Sequence, residues 1–306
     1  MKHIHTFLVS TEHQGLTVEE YIRDVLHYSG RAIQRLTRTK SIRMNGKSVY
    51  LQKKLAAHDQ ITIAEPAEDT YGVEPQQGAI EILYEDTDVI VINKPPNMLV
   101  HPTGQTEQGT LANYLAHYFQ TRQTIHRIRP LHRLDRDTSG CILFAKDAKT
   151  QARLEQQMHN GELKRTYTAI VDGCPTAKKG MIDARIGQHP AFPNRRAVVP
   201  EGEPAITRYE WLETAKDAAL LRISLETGRT HQIRVHMAYI GHPVTGDRMY
   251  GKRSAYISRQ ALHAACLRWI GHDDQPLEVR APLPLDMKRL WERKKAASDP
   301  SSDSAF

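Results

Sequence analysis

Apolar residues along this chain recur mostly at the spacing of short strands, with a few helical segments between them. Predominantly apolar runs predict strands at residues 89–92, 141–144, 167–171 and 220–225. Helical spacing predicts helices at residues 110–118, 148–160 and 231–240, and a glycine follows the last two of these. Runs of strands with interspersed helices, without strict βαβ alternation, favour an α+β fold with a mixed or antiparallel sheet.

The first 65 residues have a pattern of their own, which predicts a small α/β module. Thr17 and Glu20 have the spacing of a capping box in front of a helix. A second helix is predicted at residues 31–37, and Asn45-Gly46 between two short strand segments predicts a β-hairpin. An alternating strand at residues 59–63 ends the module.

The rest of the chain divides into a linker, a large domain and a tail. Residues 66–79 are acidic and contain prolines, which is typical of a linker. The large domain is predicted over residues 80–293, and 306 residues are enough for one large domain beside a small one. Residues 294–306 are rich in Ser and Asp, and we expect them to be disordered.

The charge of the chain adds a first functional indication. The net charge is +7, which favours polyanionic partners only weakly. Its distribution is more informative, because a stretch without a single acid contains the cations Arg31, Arg35, Arg38, Lys40, Arg43, Lys47, Lys53 and Lys54. Such a one-sign cluster predicts a surface that faces phosphate groups.

Several classes of protein do not fit the sequence. No apolar run is long enough to cross a bilayer, and the first 15 residues lack the apolar core of a signal peptide. Cys141, Cys174 and Cys266 are too few for a disulfide framework, so we expect a protein of the reducing cytoplasm. His231 and His236 would point to different faces of a helix, so no metal site is expected.

The most unusual segment runs from His132 to Gly140. It places Asp135 and Asp137 among arginines and a histidine, directly before a strand that reads as buried. An acid in such a loop suits catalysis, because burial raises the pKa of a carboxylate and a neighbouring cation lowers it. The alternative is a polar turn whose charges pair with one another, and the pattern alone does not decide between the two.

The same segment resembles the signature loop of the RluA-type family of RNA pseudouridine synthases, in which the first aspartate is catalytic. That residue is Asp135 here. Three further segments resemble the family in the same order, namely residues 88–102, 164–173 and 225–236. The resemblance covers about residues 80–285. It implies an α+β pseudouridine synthase catalytic domain with a mixed or antiparallel sheet, and isomerisation of uridine in RNA without a cofactor.

The resemblance also implies roles for three residues. Asp135 would lie beside C1′ of the uridine, either as a nucleophile or to take a proton from the sugar. Arg234 would pair with Asp135, lower its pKa and orient it; the alternatives are a structural ion pair or a phosphate contact. Tyr167 would stack on the flipped uracil and help to remove the C5 proton, unless it is a core aromatic of its strand.

Other positions are expected to contact RNA or to support the site. Arg133 and Arg136 flank the acid and could hold phosphates, although Arg133 could instead pair with Asp137. The family carries a mobile element that grips RNA near residues 190–204, which contain Arg195 and Arg196. In that element Gly202-Glu203-Pro204 replaces a more usual lysine-containing version. The landmarks Gly246-Asp247, Tyr250-Gly251 and Leu262-His263-Ala264 are expected to hold the fold, with His263 a satisfied core histidine.

The first 65 residues resemble the small αL RNA-binding domain that a ribosomal small-subunit protein shares with many pseudouridine synthases. His58 stands where that domain usually has glycine. The resemblance implies RNA contacts for Arg31, Arg35, Arg38 and Lys47. For this layout it implies large-subunit (23S) ribosomal RNA as the substrate, with transfer RNA as the runner-up, and we expect a cytoplasmic monomer without a membrane partner.

Two rival functions remain at the level of sequence. A non-catalytic RNA-binding or ribosome-assembly protein would not need Asp135, Tyr167 and Arg234, which are all present. A glycoside hydrolase could use Asp135 and Asp137 as its acid pair. On an extended strand, however, those two side chains would lie on one face only about 6–7 Å apart.

Overall fold

The computed structural model describes residues 2–28, 30–66 and 70–297. Two separate hydrophobic cores divide the described chain. One is formed by buried residues between Val9 and Ile63, and the other occupies the larger C-terminal part.

The N-terminal module is a four-stranded antiparallel sheet, in the order β1-β4-β2-β3, with short helices. Its elements are β1 (Lys2–Leu8), a 3₁₀ turn (Thr11–His13), α1 (Val18–Glu20) continued by a π-helical turn (Tyr21–Val25), α2 (Gly30–Arg38), β2 (Ile42–Met44), β3 (Lys47–Ser48) and β4 (Gln60–Pro66). The capping box is present, since Thr17 and Glu20 bond each other's backbone N–H groups. The hairpin is also confirmed: Asn45 and Gly46 both have positive φ, as a type I′ turn requires.

Three features of this module concern details of the sequence prediction, namely strand β1, His58 and the predicted helix break at Ser29-Gly30. Strand β1 was not predicted, because its residues do not alternate between apolar and polar and its partner β4 lies some 50 residues away. His58, which replaces a glycine of the resembling domain, has φ of 69°. The position therefore needs a left-handed backbone, which glycine adopts most easily. The predicted helix break at Ser29-Gly30 lies partly outside the described residues, since Ser29 is not among them and Gly30 begins α2.

A large mixed sheet forms the C-terminal domain, with strand order β10-β13-β14-β9-β15-β8-β6-β5; β16 pairs with β15 and β7 with β8. Its strands are β5 (Ile82–Glu85), β6 (Val89–Lys94), β7 (Arg129–Pro130), β8 (Ser139–Ala145), β9 (Lys164–Asp172), β10 (Lys179–Asp183), β13 (Ile206–Ala215), β14 (Ala218–Leu225), β15 (Leu262–Ile270) and β16 (Pro276–Arg280). Strands β11 (Ile186–Gln188) and β12 (Arg196–Val198) form a separate hairpin. The helices are α3 (Leu111–Thr121), α4 (Ala148–His159), α5 (Gln232–Tyr239) and α6 (Leu285–Ala296). All four predicted strands and all three predicted helices are present, with ends shifted by a few residues.

The predicted linker is largely part of the C-terminal domain. Residues 67–69 lie outside the described chain, but from residue 70 onward the segment packs against α3 and its surroundings. The Tyr71 carbonyl accepts a hydrogen bond from Ile128 N–H, and the Asn113 carbonyl accepts one from Gln76 N–H. At the other end, helix α6 runs three residues into the predicted tail, whose residues 298–306 are not described.

Strand β8 connects this fold to the site. All seven of its residues are buried, and apolar side chains cover both of its faces. Its first residues pair in parallel with β15 and its length pairs antiparallel with β6. A loop that enters this strand is therefore held from both sides. Within the described ranges, no helix is long and apolar enough to cross a membrane, and the three cysteines are free.

Candidate active site

A tight turn presents Asp135 at the entrance of β8. The carbonyl of Asp135 accepts a hydrogen bond from Thr138 N–H at 3.1 Å, so residues 135–138 form a β-turn and not the extended strand considered from the sequence. Asp135 and Asp137 therefore do not share the face of a strand, and the geometry assumed for a hydrolase pair was wrong. The Asp137 carbonyl is itself held by the Arg259 guanidinium at 3.1 Å.

Lys94, at the end of β6, binds the backbone of this turn through its ammonium group. Its side chain is fully buried, and its Nζ donates to the carbonyls of Pro95, Met98 and Arg136 at 2.8–3.0 Å. Burial lowers the pKa of Lys94 to about 7, against the opposing effect of the nearby Asp137 carboxylate. Three carbonyl acceptors match the three N–H bonds of an ammonium group, so this geometry suits the charged form.

Arg234 joins Asp135 to a second carboxylate. Its Nη1 donates to Asp135 Oδ2 at 2.8 Å, while its Nε and Nη2 donate to both oxygens of Asp247 at 2.6 and 3.0 Å. Asp247 is fully buried and Arg234 nearly so, whereas the Asp135 side chain is 25% exposed. Asp135 is therefore the only one of these three charged side chains with substantial solvent exposure.

The burial of these charges determines their ionisation. Burial alone would raise the pKa of Asp247, but the Arg234 guanidinium and the N–H groups of Met249 and Tyr250 hold that pKa below its ordinary value. Burial would lower the pKa of Arg234, and the two carboxylates raise it instead. Asp247 therefore stays ionised and fixes the guanidinium that orients Asp135.

His231 and Tyr250 complete the cluster and were not selected as site residues from the sequence. His231 Nε2 lies 4.0 Å from Asp135 Oδ1, and its Nδ1 lies 2.8 Å from the Tyr250 hydroxyl. Arg196 N–H donates to the same hydroxyl, so the hydroxyl proton is free to point at His231 Nδ1. When the hydroxyl donates to Nδ1, the imidazole proton is on Nε2 and faces Asp135. Burial lowers the pKa of His231, and the Asp135 carboxylate opposes that effect.

The left-handed backbone of His231 (φ 59°) explains its position, because it lets this residue precede α5 and turn toward Asp135. The only sequence signal for it was its place in the segment of residues 225–236. Tyr250 had been expected only to hold the fold. Neither role could be read from spacing, since Tyr250 lies more than 100 residues from Asp135.

Tyr167 lies beneath the site in the hydrophobic core. Its side chain is 5% exposed and its strand neighbours are Ala264 and Ile223. Burial raises the pKa of Tyr167, and the Asp135 carboxylate acts in the same direction, which places the two groups within electrostatic reach. The side chain is thus packed as the core alternative describes, and the Asp135 carboxylate still acts on its phenol electrostatically.

Two histidines near the turn have contrasting environments. His263 is a satisfied core histidine, as expected: its ring nitrogens lie 2.9 Å from Ser139 Oγ and 3.3 Å from the Ala281 carbonyl. His132 is also buried, yet neither of its ring nitrogens has a hydrogen-bond partner. Burial lowers the pKa of His132 to about 3 and that of His263 to about 4. Both rings are therefore neutral at pH 7.

The predicted RNA-binding residues lie at the surface, but not all to the same degree. Arg31, Arg35, Arg38, Lys47, Arg133 and Arg136 are exposed, whereas Arg195 and Arg196 are half-buried on the β11–β12 hairpin. In the described part of the chain none of these eight is ion-paired, so Arg133 does not pair with Asp137.

The unusual Gly202-Glu203-Pro204 segment lies against this hairpin. Glu203 exchanges backbone hydrogen bonds with Ile186 and its carboxylate pairs with Arg229. A Cβ on Gly202 would lie 2.6 Å from the Ile186 carbonyl carbon, so the close approach requires glycine. The segment thus holds the base of the hairpin. Within the described ranges no group of three or more His, Cys, Asp or Glu residues is arranged to hold a metal ion.

The chain is similar to known RNA-modifying proteins over most of its length. A model of the family described as RNA pseudouridylate synthase matches residues 88–239. A Bacillus subtilis protein named as an uncharacterised RNA pseudouridine synthase, YhcT, is 39% identical over 92% of this chain and 95% of its own. Ribosomal large subunit pseudouridine synthase D of Escherichia coli K12 is 37% identical over 97% of this chain and 96% of its own.

Solved structures agree on the fold. Human RNA pseudouridylate synthase domain containing 1 has a TM-score of 0.57 at 24% identity, covering 74% of this chain and 99% of its own. Human RNA pseudouridylate synthase domain containing 4 has a TM-score of 0.58 at 23% identity, covering 70% and 92%. The predicted α+β fold with a mixed sheet is confirmed.

Proposed function

This chain belongs to the RNA pseudouridylate synthase family and is an RNA pseudouridine synthase; we propose that it isomerises uridine in large-subunit ribosomal RNA, with Asp135 as the catalytic carboxylate. The substrate proposal is supported by the similarity over nearly the whole chain to large-subunit enzymes. The observation that carries the catalytic proposal is the 2.8 Å contact between Arg234 and Asp135, with Asp247 buried behind it.

The reaction breaks the N1–C1′ bond, turns the uracil and joins C5 to C1′, after which the proton leaves C5 and N1 holds one. Asp135 is the exposed member of its charged chain, so its free oxygen can face C1′. There it acts as a nucleophile or takes a proton from the sugar. Arg234 orients its carboxylate in either case.

A uridine inside folded RNA must leave its stack before it can reach Asp135. The exposed Arg133 and Arg136 on either side of the acid are placed to bind the phosphates of the extruded nucleotide. Tyr167, a buried aromatic on which the Asp135 carboxylate acts electrostatically, is the residue proposed to stack on the uracil and to help remove the C5 proton. No redox step or outside group takes part, so the reaction proceeds without a cofactor.

Tritium release from ribosomal RNA labelled at uridine C5 tests this proposal. The wild-type protein is expected to release tritium, and Asp135→Asn to lose release while keeping RNA affinity. Asp137→Asn is the matched control, because it removes a carboxylate of the same turn that does not contact Arg234. Equal release by wild type and Asp135→Asn would remove Asp135 from the chemistry, and release from transfer RNA alone would overturn the proposed substrate.

We also propose that the protein acts as a cytoplasmic monomer. One copy of the chain supplies Asp135, Arg234, Asp247, His231 and Tyr250, so the cluster needs no partner subunit. The three free thiols suit a reducing compartment. Light scattering at assay concentrations should give the mass of one chain.

A further inference from the structure

A pocket of about 350 Å³ opens beside the catalytic cluster, between the tip of the β11–β12 hairpin and the turn that follows Asp247. Its lining consists of Phe192, Pro193, Asn194, Arg195, Arg248 and Met249. This volume lies at the lower end of the range for small-molecule sites. No residue of the lining is acidic, and Arg195 is the one member already predicted to contact RNA.

The hairpin tip holds Phe192 in a fixed turn. The carbonyl of Phe192 accepts a hydrogen bond from Arg195 N–H at 2.9 Å, and Pro193 occupies the position at which such turns favour proline. His189 N–H donates to the Arg195 carbonyl across the same tip. The Phe192 ring is nevertheless 50% exposed, with the Arg195 guanidinium 4.7 Å from its centroid. The His189 ring also lies 4.9 Å from the Phe192 ring, so the exposed half of the Phe192 ring is what remains as a stacking surface at the pocket rim.

The charge of the pocket is uncompensated. Neither Arg195 nor Arg248 pairs with a carboxylate in the described ranges. A second pocket, of about 420 Å³, on β10, β13 and β14 provides the contrast. There Lys179 and Arg222 both pair with Glu210, and Arg208 pairs with Glu226. Only the pocket near the active site therefore keeps cations free for an anionic ligand.

Both walls of the pocket are tied to the catalytic cluster. Arg248 and Met249 follow Asp247 directly, and Met249 N–H donates to the Asp247 carboxylate at 2.9 Å. On the other wall, Arg196 N–H donates to the Tyr250 hydroxyl that also contacts His231. A ligand in the pocket would thus be held by chain segments whose N–H groups bond Asp247 and Tyr250.

We propose that this pocket binds a second nucleotide of the RNA substrate, a neighbour of the target uridine, with its base on Phe192 and its phosphate contacted by Arg195 and Arg248. An aromatic face accepts any base, and free arginines accept a phosphate, so the two features together select a nucleotide. The proximity to the target rests on the proposed function, since it assumes that Asp135 receives the uridine.

The pocket is tested with a fluorescent twelve-residue oligoadenylate, which contains no uridine to isomerise. Phe192→Ala is expected to weaken its binding by roughly five- to 150-fold, the range for loss of one base stack, and Phe192→Trp to retain it. Met181→Ala is the matched control, because Met181 is a similarly exposed apolar residue in the other pocket. Unchanged binding by Phe192→Ala would overturn the proposal.

The phosphate contact has a separate readout. Arg248→Ala should reduce the slope of log K against log salt concentration by about 0.7, as expected for one lost contact to a single strand. Arg222→Ala makes the same change of charge where the cation is already paired, and should leave the slope unchanged. Equal slopes for Arg248→Ala and wild type would overturn the phosphate contact.

Turnover separates this proposal from the proposed function. Phe192→Ala should also reduce tritium release from ribosomal RNA, and this effect should be absent in Met181→Ala. If the wild type releases no tritium from any RNA, the proposed function fails, whereas the oligoadenylate result still decides the pocket. Saturation of the pocket by adenosine 5′-monophosphate with no effect of Phe192→Ala on the oligonucleotide would assign it to a free nucleotide and overturn the proposal.

Discussion

Among the single residues of the site, Arg234 is the one that contacts both Asp135 and Asp247. One guanidinium serves two carboxylates, and the buried Asp247 takes the bidentate contact while Asp135 takes the remaining N–H. The arrangement orients Asp135 without occupying both of its oxygens. The stability of the pair and the activity of the acid are therefore linked through the same side chain.

Asp247→Asn should reveal that link. The substitution leaves Arg234 buried with only one carboxylate, and breaking a buried pair costs roughly 3–5 kcal/mol of unfolding free energy. Urea unfolding measures this loss, and tritium release should fall with it because Asp135 loses its fixed partner. Asp88→Asn, which breaks the partly exposed pair with Arg153, is the control. It should cost less stability and leave turnover unchanged; wild-type turnover in Asp247→Asn would contradict the link.

His263 should make the stability of the protein depend on pH. Burial lowers its folded pKa to about 4, whereas an unfolded histidine has a pKa of about 6.5. Below pH 6.5 the unfolded chain therefore binds a proton that the folded chain refuses until about pH 4, so stability falls as pH falls through this window. His263→Gln removes the titration, and its unfolding free energy should fall less steeply, by up to about 1.4 kcal/mol per pH unit. The unfolding free energy is measured by urea unfolding at pH 7, 6 and 5. An equal decrease of that free energy with falling pH in His263→Gln and in the wild type would contradict this prediction.

At the scale of elements, the position of the turn at residues 135–138 depends on strands β8 and β15. Strand β8 passes so close to β15 at Gly140 that a Cβ there would overlap the Ala264 carbonyl. Gly140 also has φ of 113°, which side chains rarely adopt. The turn that presents Asp135 thus depends on a close backbone contact formed five residues later.

Gly140→Ala should separate these two strands. The overlap and the backbone strain together should cost about 2–5 kcal/mol of unfolding free energy. Gly161→Ala is the matched control, since Gly161 also has positive φ but has no atom near its missing Cβ. Its cost should be only about 1–2 kcal/mol, the price of a left-handed backbone. Similar losses for both variants in urea unfolding would show that the close approach of the strands is unimportant.

Two surfaces of the whole molecule carry clusters of cations that have no ion-pair partner among the described residues. One is the N-terminal module, where the cations between Arg31 and Lys54 are exposed and unpaired within the described residues. The other surrounds the catalytic cluster, with Arg133, Arg136, Arg195 and Arg248. A folded RNA that reached both would be held at two places, which would fix its orientation relative to Asp135.

Salt titration of RNA binding measures the contribution of the N-terminal surface. Replacing Arg35, Arg38 and Lys47 by Ala should reduce the slope of log K against log salt by about 0.7–0.9 for each lost phosphate contact. The control replaces Lys179, Arg208 and Arg222, whose charges are paired with Glu210 or Glu226, and should leave the slope almost unchanged. An unchanged slope in the first variant would place this module outside the RNA interface.

Much of this molecule follows from local features of its sequence. Capping at Thr17, the Asn45-Gly46 turn and the buried run of β8 are decided by neighbouring residues, so their elements were predicted with small errors at the ends. The contiguous segment around Asp135 likewise indicated the family, which the comparisons confirm. The assignment of residues 70–79 to a linker was wrong because composition does not show that their backbone bonds to α3 and the loop after it.

The sequence by itself determined the elements and the family, and it singled out Asp135 as the candidate acid, because each is encoded within a short stretch of chain. Only the tertiary structure decided that Asp247, His231 and Tyr250 surround Arg234 and Asp135, and that β1 completes the first sheet. These are contacts between residues 13 to 99 positions apart. The physical reason is that such contacts depend on how sheets and helices pack. The distance in space between two packed residues does not follow from the number of residues between them in the sequence.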